Sequence, residues 1–183
     1  SALPRLPKPP FPPDSQPQAF ARFYFLSNDE LLEILSQTKD PTLVQAHLKK
    51  CFEGIKRVDF EDDLTISAMN SSEKEHVPFV HPVDPKGKNI ENWMVELKDM
   101  MISSIRNQML LAVKDYKVAK RTDWMQAWPG MIVLNGSQVH WTREIEEAMA
   151  TKGNEGIKEY WEKLLLQLQD MVILVRGKLS KMA

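Results

Sequence analysis

The sequence is 183 residues long, enough for one domain or a piece of a larger protein, with 43% hydrophobic and 27% charged residues. Its 24 basic and 25 acidic side chains leave a net charge of -1, so the composition argues against a nucleic-acid partner. Cys51 is the only cysteine, which excludes an internal disulfide and suits a reducing compartment, and no run of about 18 apolar residues offers a membrane span.

Residues 1–17, SALPRLPKPPFPPDSQP, hold seven of the twelve prolines. That density forbids a helix and favours an extended, polyproline-type leader, which we place at 1–19. It is not a signal peptide, because it lacks a basic and then apolar order. Its Pro4–Pro7 spacing suits an SH3-like groove, but Arg5 and Lys8 lie inside the repeats rather than flanking them, and a flexible leader is the simpler reading.

Ordered structure is expected from Phe20. Ser27 and Glu30 form a capping box, in which each side chain satisfies a free amide at a helix start. Leu31, Leu32, Ile34 and Leu35 then give that helix an apolar face. Asp40 before Pro41 marks the next start, since a carboxylate caps the helix and proline occupies a position that needs no N–H. Leu43, Val44, His47, Leu48 and Cys51 follow at helical spacing, and Gly54 is expected to end this second helix.

The period changes between 55 and 83. Leu64, Ile66 and Ala68 alternate with Thr65 and Ser67, and Val77 and Phe79 with His76 and Pro78, which predicts a β-hairpin with its tip at Asn70–Lys74. Pro78 has no N–H for a ladder bond, so its strand should be an edge. Helices resume after Pro85. Ile90, Met94, Leu97, Met101 and Ile105 share one face of a helix running to about Tyr116, and a short helix over 121–128 follows. The segment 131–150 reads as helix, while Asn135-Gly136 competes as a turn. In the last helix, 154–180, Ile157, Trp161, Leu164, Leu168, Met171 and Val175 form a heptad seam suited to packing in a helical bundle.

Catalytic chemistry finds no foothold in these residues. His47, His76, His81 and His140 are scattered, and no second cysteine joins Cys51, so a zinc site is not expected. Cys51 lies on an apolar helical face and reads as a buried, inert thiol. Glu61-Asp62-Asp63 lacks the spacing of a calcium loop and reads as a solvated turn. No phosphate-binding glycine loop occurs; Gly153-Asn154-Glu155-Gly156 reads as a joint between helices. The ten methionines fit core filling, and Trp93, Trp124, Trp128, Trp141 and Trp161 are expected to be buried at helix junctions.

The stretch FYFLSNDELLEILSQTKDP, followed by VQAHLKKCFEGI, VDFEDDLTISAM, VPFVHPVDPKG, IENWMVELKDMM, WPGMIVL, SQVHWTREIEEAM, GNEGIKEYWEKL and VRGKLSKM, closely resembles the linker region of dynein heavy chains, the axonemal ones in particular. The likeness covers about residues 20–182 in unbroken order. It departs at Ala21 and Ala46, where family members commonly have proline, and at Lys74, where they have glycine.

The resemblance implies a mainly α, elongated multi-helix bundle with one inserted hairpin, the C-terminal part of an arm lying across an AAA+ ring. It implies a mechanical role without catalysis in this segment. ATP and Mg would belong to the AAA+ modules of the parent. The implied partners are the ring of the same heavy chain and, through other parts of the parent, microtubules and dynein intermediate and light chains; neither nucleic acid nor membrane is implied. The implied location is the cytoplasm and cytoskeleton, in the axoneme of a cilium or flagellum. Ser71, Ser72, Glu73, Lys74 and Glu75 at the hairpin tip are the residues expected to dock on the ring. Gly54, Gly87, Gly130, Gly153 and Gly156 are candidate hinges, with plain inter-helix loops as the competing reading. The competing function is a freestanding helical scaffold that binds partners through its proline-rich leader and helical faces.

Overall fold

The computed structural model describes residues 20–36 and 40–176; the proline-rich leader and the end of the last predicted helix lie outside them. The protein is mainly helical, with a small antiparallel sheet of three strands in the order β1-β2-β3. The elements are α1 (Asn28–Ser36), α2 (Leu48–Cys51), β1 (Arg57–Phe60), β2 (Ile66–Asn70), β3 (His76–Val83), α3 (Ile90–Asp115), α4 (Arg121–Ala127) and α5 (Gly130–Arg176). Short 3-10 turns at Ala21–Phe25 and Pro41–Ala46 precede α1 and α2. The chain forms two compact units, one ending at Ser72 and resuming over His81–Met101, the other formed by Glu73–Val80 and the chain from Ile102.

In the first unit, Ser27 and Glu30 cap α1 as their spacing predicts. The Ser27 amide donates to Glu30 Oε2 at 3.0 Å, and Glu30 N–H donates back to Ser27 Oγ at 3.4 Å. Glu30 also binds Lys50 Nζ, which ties α1 to α2. That bond, with the two from Ser27, lowers the Glu30 pKa from 4.5 to about 2. Glu30 therefore stabilises the fold fully above about pH 4.5 and loses this contribution as pH falls toward 2. A Glu30→Gln variant should unfold with a flatter pH dependence across that window. Denaturant midpoints from pH 2 to 6 check this, and parallel curves for the two proteins would contradict it.

Asp40 accepts from Thr42 N–H at 2.9 Å and from Thr42 Oγ1, and both bonds hold its pKa below the usual value. The segment it caps is not one helix to Gly54. A 3-10 turn leads into the single-turn α2, whose C-cap is Phe52. Phe20, Phe23 and Phe52 form an aromatic cluster, with ring centroids 4.9 and 5.8 Å apart, and Arg22 lies over Phe52 while donating to the Cys51 carbonyl. Cys51 is buried, and burial pushes its thiol up to about 11, where it stays protonated and unreactive. On α3, Ile90, Met94, Leu97 and Met101 of the predicted stripe are buried, Ile105 is half-buried, and Trp93 is buried beside them.

The sheet is larger than the predicted hairpin. β1 pairs antiparallel with β2, Arg57 opposite Asn70 and Phe60 opposite Ile66, with a bulge at Asp59/Phe60. Their connection is a tight turn in which Leu64 N–H donates to Glu61 O and Glu61 N–H to Thr65 O. Leu64 itself adopts φ 67°, a position usually filled by glycine in three-residue hairpin loops. Leu64 is thus the last turn residue rather than the start of β2. Asp63 in the acidic run binds Thr65 N–H and Oγ1, a polar turn as predicted. Gln45 faces β1: its Oε1 accepts from Val58 N–H at 3.1 Å and its Nε2 donates to Val58 O at 2.6 Å. β3 is the other edge, as Pro78 requires.

In the second unit, Trp124 of α4 is fully buried with Ala112 and Ile132, and Met109, Tyr116, Met125 and Trp128 pack around them. Its Nε1 donates to Ala112 O at 2.8 Å. A Cβ on Gly136 would stand 3.1–3.2 Å from the Trp124 ring. This contact explains why Asn135-Gly136 continues the helix: Gly136 is there so that an indole can lie on the backbone, not to turn the chain. His140, one turn on, is buried too; it stacks on Tyr116 at 3.9 Å and shares a hydrogen bond with Val113 O through Nε2. Trp141 and Trp161, expected to be buried, are 48% and 60% exposed. Each is apolar and helical, and each leaves about half of its surface to solvent.

Candidate functional site

The predicted tip residues lie between β2 and β3. The chain passes from the first unit to the second between Ser72 and Glu73. Lys74 adopts φ 69°, so this position takes up the left-handed conformation despite its side chain. For an L-residue that conformation costs ~1–2 kcal/mol, whereas glycine reaches it freely at a smaller entropic cost. Lys74→Gly should therefore stabilise the protein by ~0.5–1 kcal/mol, read from denaturant midpoints. A destabilised variant would show that the lysine side chain supplies contacts worth more than the strain.

Glu75 is committed within the chain. Its Oε1 accepts from the Gly130 amide at 2.6 Å, which places a carboxylate at the start of α5, where free N–H groups and the helix dipole favour negative charge. The tip is thus joined to a candidate hinge 55 residues away. Nearby, Val80 N–H on β3 donates to the buried Ser104 Oγ of α3 at 3.1 Å. Ser104 carries no motif, and only a polar residue on an apolar helical stripe hints at it.

The five glycines differ in what the backbone asks of them. Gly87 (φ 66°) closes the turn in which Lys88 N–H donates to Pro85 O, and Gly54 has open space around its Cα. Gly153 is the one non-helical residue inside α5, at φ 56° and ψ -134°, and divides it into a first limb, 130–152, and a second limb, 154–176. The limbs fold back on each other. Lys163 Nζ meets Glu144 Oε2 at 2.7 Å and Lys152 meets Glu159 at 2.7 Å, whereas a straight helix would hold residues 144 and 163 about 28 Å apart. At Gly156 the limbs approach so closely that a Cβ would lie 2.2 Å from the Ala148 carbonyl oxygen. Tyr160, one turn on, is buried; burial first, and then the Glu144 carboxylate, push its phenol up to about 12.

An open groove runs between α3 and the first limb. Ile105, Met109, Ile132 and Val139 line it, and Arg143 and Glu146 stand along its polar side. Among the described residues, no group of three or more His, Cys, Asp or Glu is placed to hold a metal ion. His47 is flanked instead by Glu30 at 3.8 Å and Glu33 at 3.7 Å. No described helix is long and apolar enough to cross a membrane.

Residues 14–112, more than half of the chain, match the family model for dynein heavy chain, N-terminal region 2. The chain belongs to this dynein heavy chain family. Over 164 residues it is 48% identical to dynein axonemal heavy chain 12 of Rattus norvegicus, covering 88% of this chain and 5% of that protein. Dynein axonemal heavy chain 1 of Mus musculus is 49% identical over 164 residues, or 90% of this chain and 4% of the relative. Dynein axonemal heavy chain 3 of Homo sapiens is 46% identical over 164 residues, again with 4% of the relative covered. The chain thus spans about one-twentieth of the length of these relatives.

Proposed function

We propose that this chain is the C-terminal part of the linker of an axonemal dynein heavy chain, a lever that swings across the AAA+ ring of the same polypeptide to drive ATP-dependent, microtubule-based movement. One observation carries the reading: three kinds of axonemal heavy chain align along nearly the whole chain at 46–49% identity. A lever suits what its residues build, because long helices clamped by Trp124 and by the Gly156 contact resist bending between defined joints. In this reading ATP and Mg act in the AAA+ modules of the parent, the microtubule is held elsewhere in it, and the site of action is the axoneme.

The tip residues Ser71–Glu75 would dock on the ring. Gly54, Gly87, Gly130 and Gly153 are the pivots we propose, Gly153 first among them because it already interrupts a helix, whereas Gly156, packed on the Ala148 carbonyl, belongs to the clamp. Sequencing the transcript beyond Ala183 tests the whole reading. A frame that continues into a P-loop ATPase module supports it; one that stops near Ala183 overturns it in favour of a freestanding scaffold. Within the full heavy chain, Gly153→Ala should slow microtubule gliding while ATP hydrolysis persists, and unchanged gliding would remove Gly153 from the pivots.

A further inference from the structure

We propose that Asn135-Gly136 is a deamidation site gated by the fold, silent while the first limb of α5 is closed and reactive once that limb opens. It is the one Asn-Gly pair in the chain. Asparagine is among the thermolabile residues, since its side-chain amide carbon can be attacked by the next backbone nitrogen. Glycine in that next place has no Cβ to hinder the attack. The Gly136 nitrogen gives up its proton and bonds to Asn135 Cγ, the Cγ–Nδ2 bond breaks, and the amide leaves with that proton as ammonia. Water then opens the resulting succinimide at either carbonyl, leaving aspartate or isoaspartate.

The fold keeps the two reacting atoms apart. Asn135 is exposed and lines the groove beside the first limb, so water reaches its amide. However, its Nδ2 donates to Met131 O at 3.0 Å, one turn back, which draws the amide toward the helix N-terminus. The nucleophile lies the other way and is locked. Residue 136 sits in a helix whose one non-helical residue is Gly153, so its N–H is committed to the carbonyl of residue 132. Gly136 is also buried, with the Trp124 ring so close that a Cβ would stand 3.1 Å from it. The indole is itself fastened, by its Nε1–H to Ala112 O at 2.8 Å. Ring closure therefore needs the limb to unwind around residue 136 and the indole to lift. Isoaspartate lengthens the main chain by one methylene, so the helical ladder cannot close in register across residue 135 again. Each opening that lasts long enough to react is thus written into the chain permanently. The site belongs to this segment alone and stands independently of the heavy-chain reading.

The test incubates the 183-residue chain at mildly alkaline pH and follows Asn135 by peptide mass mapping. Isoaspartate is counted by methyl transfer from labelled S-adenosylmethionine with an isoaspartyl methyltransferase. Modification should be roughly tenfold or more slower in the native chain than in urea-unfolded chain, as for a limb open less than a tenth of the time. Across the urea transition the rate should climb with the unfolded fraction, a readout that needs no variant. Trp124→Phe keeps a ring but loses the bond to Ala112, and should speed the native reaction severalfold; an unchanged rate removes the indole from the gate. Gly136→Ala should slow the reaction about tenfold in urea, where packing no longer acts and only the added Cβ matters. Equal rates in native and unfolded chain overturn the gating, and an Asn135 that stays intact in urea overturns the site itself. Isoaspartyl chains returned to buffer should unfold at a lower urea midpoint than unmodified ones, and equal midpoints overturn the permanence.

Discussion

Trp124→Ala is expected to destabilise the protein by about 3–5 kcal/mol, the range for truncating a fully buried aromatic side chain. Three losses act together. The indole fills the space between Ala112 and Ile132, so its removal opens a cavity. Its Nε1–H donates to the buried Ala112 carbonyl, which then keeps only the bond from Tyr116 N–H. Its ring also meets the edge of Tyr116 at 5.1 Å, and Tyr116 in turn carries the stack on His140 and accepts from Arg121 Nη1. Equilibrium urea unfolding of the chain measures the loss, and a change below about 1 kcal/mol would show that Trp124 does not anchor this unit. Trp161→Ala should by contrast leave the isolated chain nearly as stable, because most of that side chain already faces water.

Gly156→Ala is expected to destabilise by about 1–3 kcal/mol, the usual cost of forcing volume into a packed contact. The sign is the informative part. At an exposed helical position the same change stabilises by roughly 1 kcal/mol, since alanine is the better helix former. At Gly156 the added Cβ would meet the Ala148 backbone oxygen at 2.2 Å, and backbone cannot rotate aside as a side chain can, so the limbs must separate. Separation would also strain the Lys163–Glu144 and Lys152–Glu159 pairs that bridge the limbs. Thermal unfolding of the variant decides it; a raised midpoint would mean the limbs are less closely packed than the geometry implies.

The parts legible in the sequence are those encoded by neighbours. Ser27 and Glu30 are three residues apart, Asp40 adjoins Pro41, and Pro78 announces an edge by lacking a donor; each is visible without knowing the fold. The five-residue apolar stripe on α3 is equally local. What stayed hidden depends on distant partners. β1 is four residues with two apolar positions, too short to read as a strand until β2 supplies its ladder. Gly136 looks like a turn residue until Trp124 is laid upon it. The Glu75–Gly130 bond joins positions 55 apart, and no periodicity connects them. Trp141 and Trp161 mislead in the opposite way: the sequence records that they are apolar but not whether their cover lies within the 183 residues.

The sheet has a consequence for how such a chain survives while it is being made. Strand edges are templates on which unrelated chains add and aggregate. Here Gln45 occupies both backbone groups of Val58 on β1, while β3 carries Pro78 and Pro82, and Ser104 takes up the Val80 N–H. Both margins are blunted by this segment's own residues. A chain that folds this segment therefore leaves the ribosome with its most adhesive backbone already sealed.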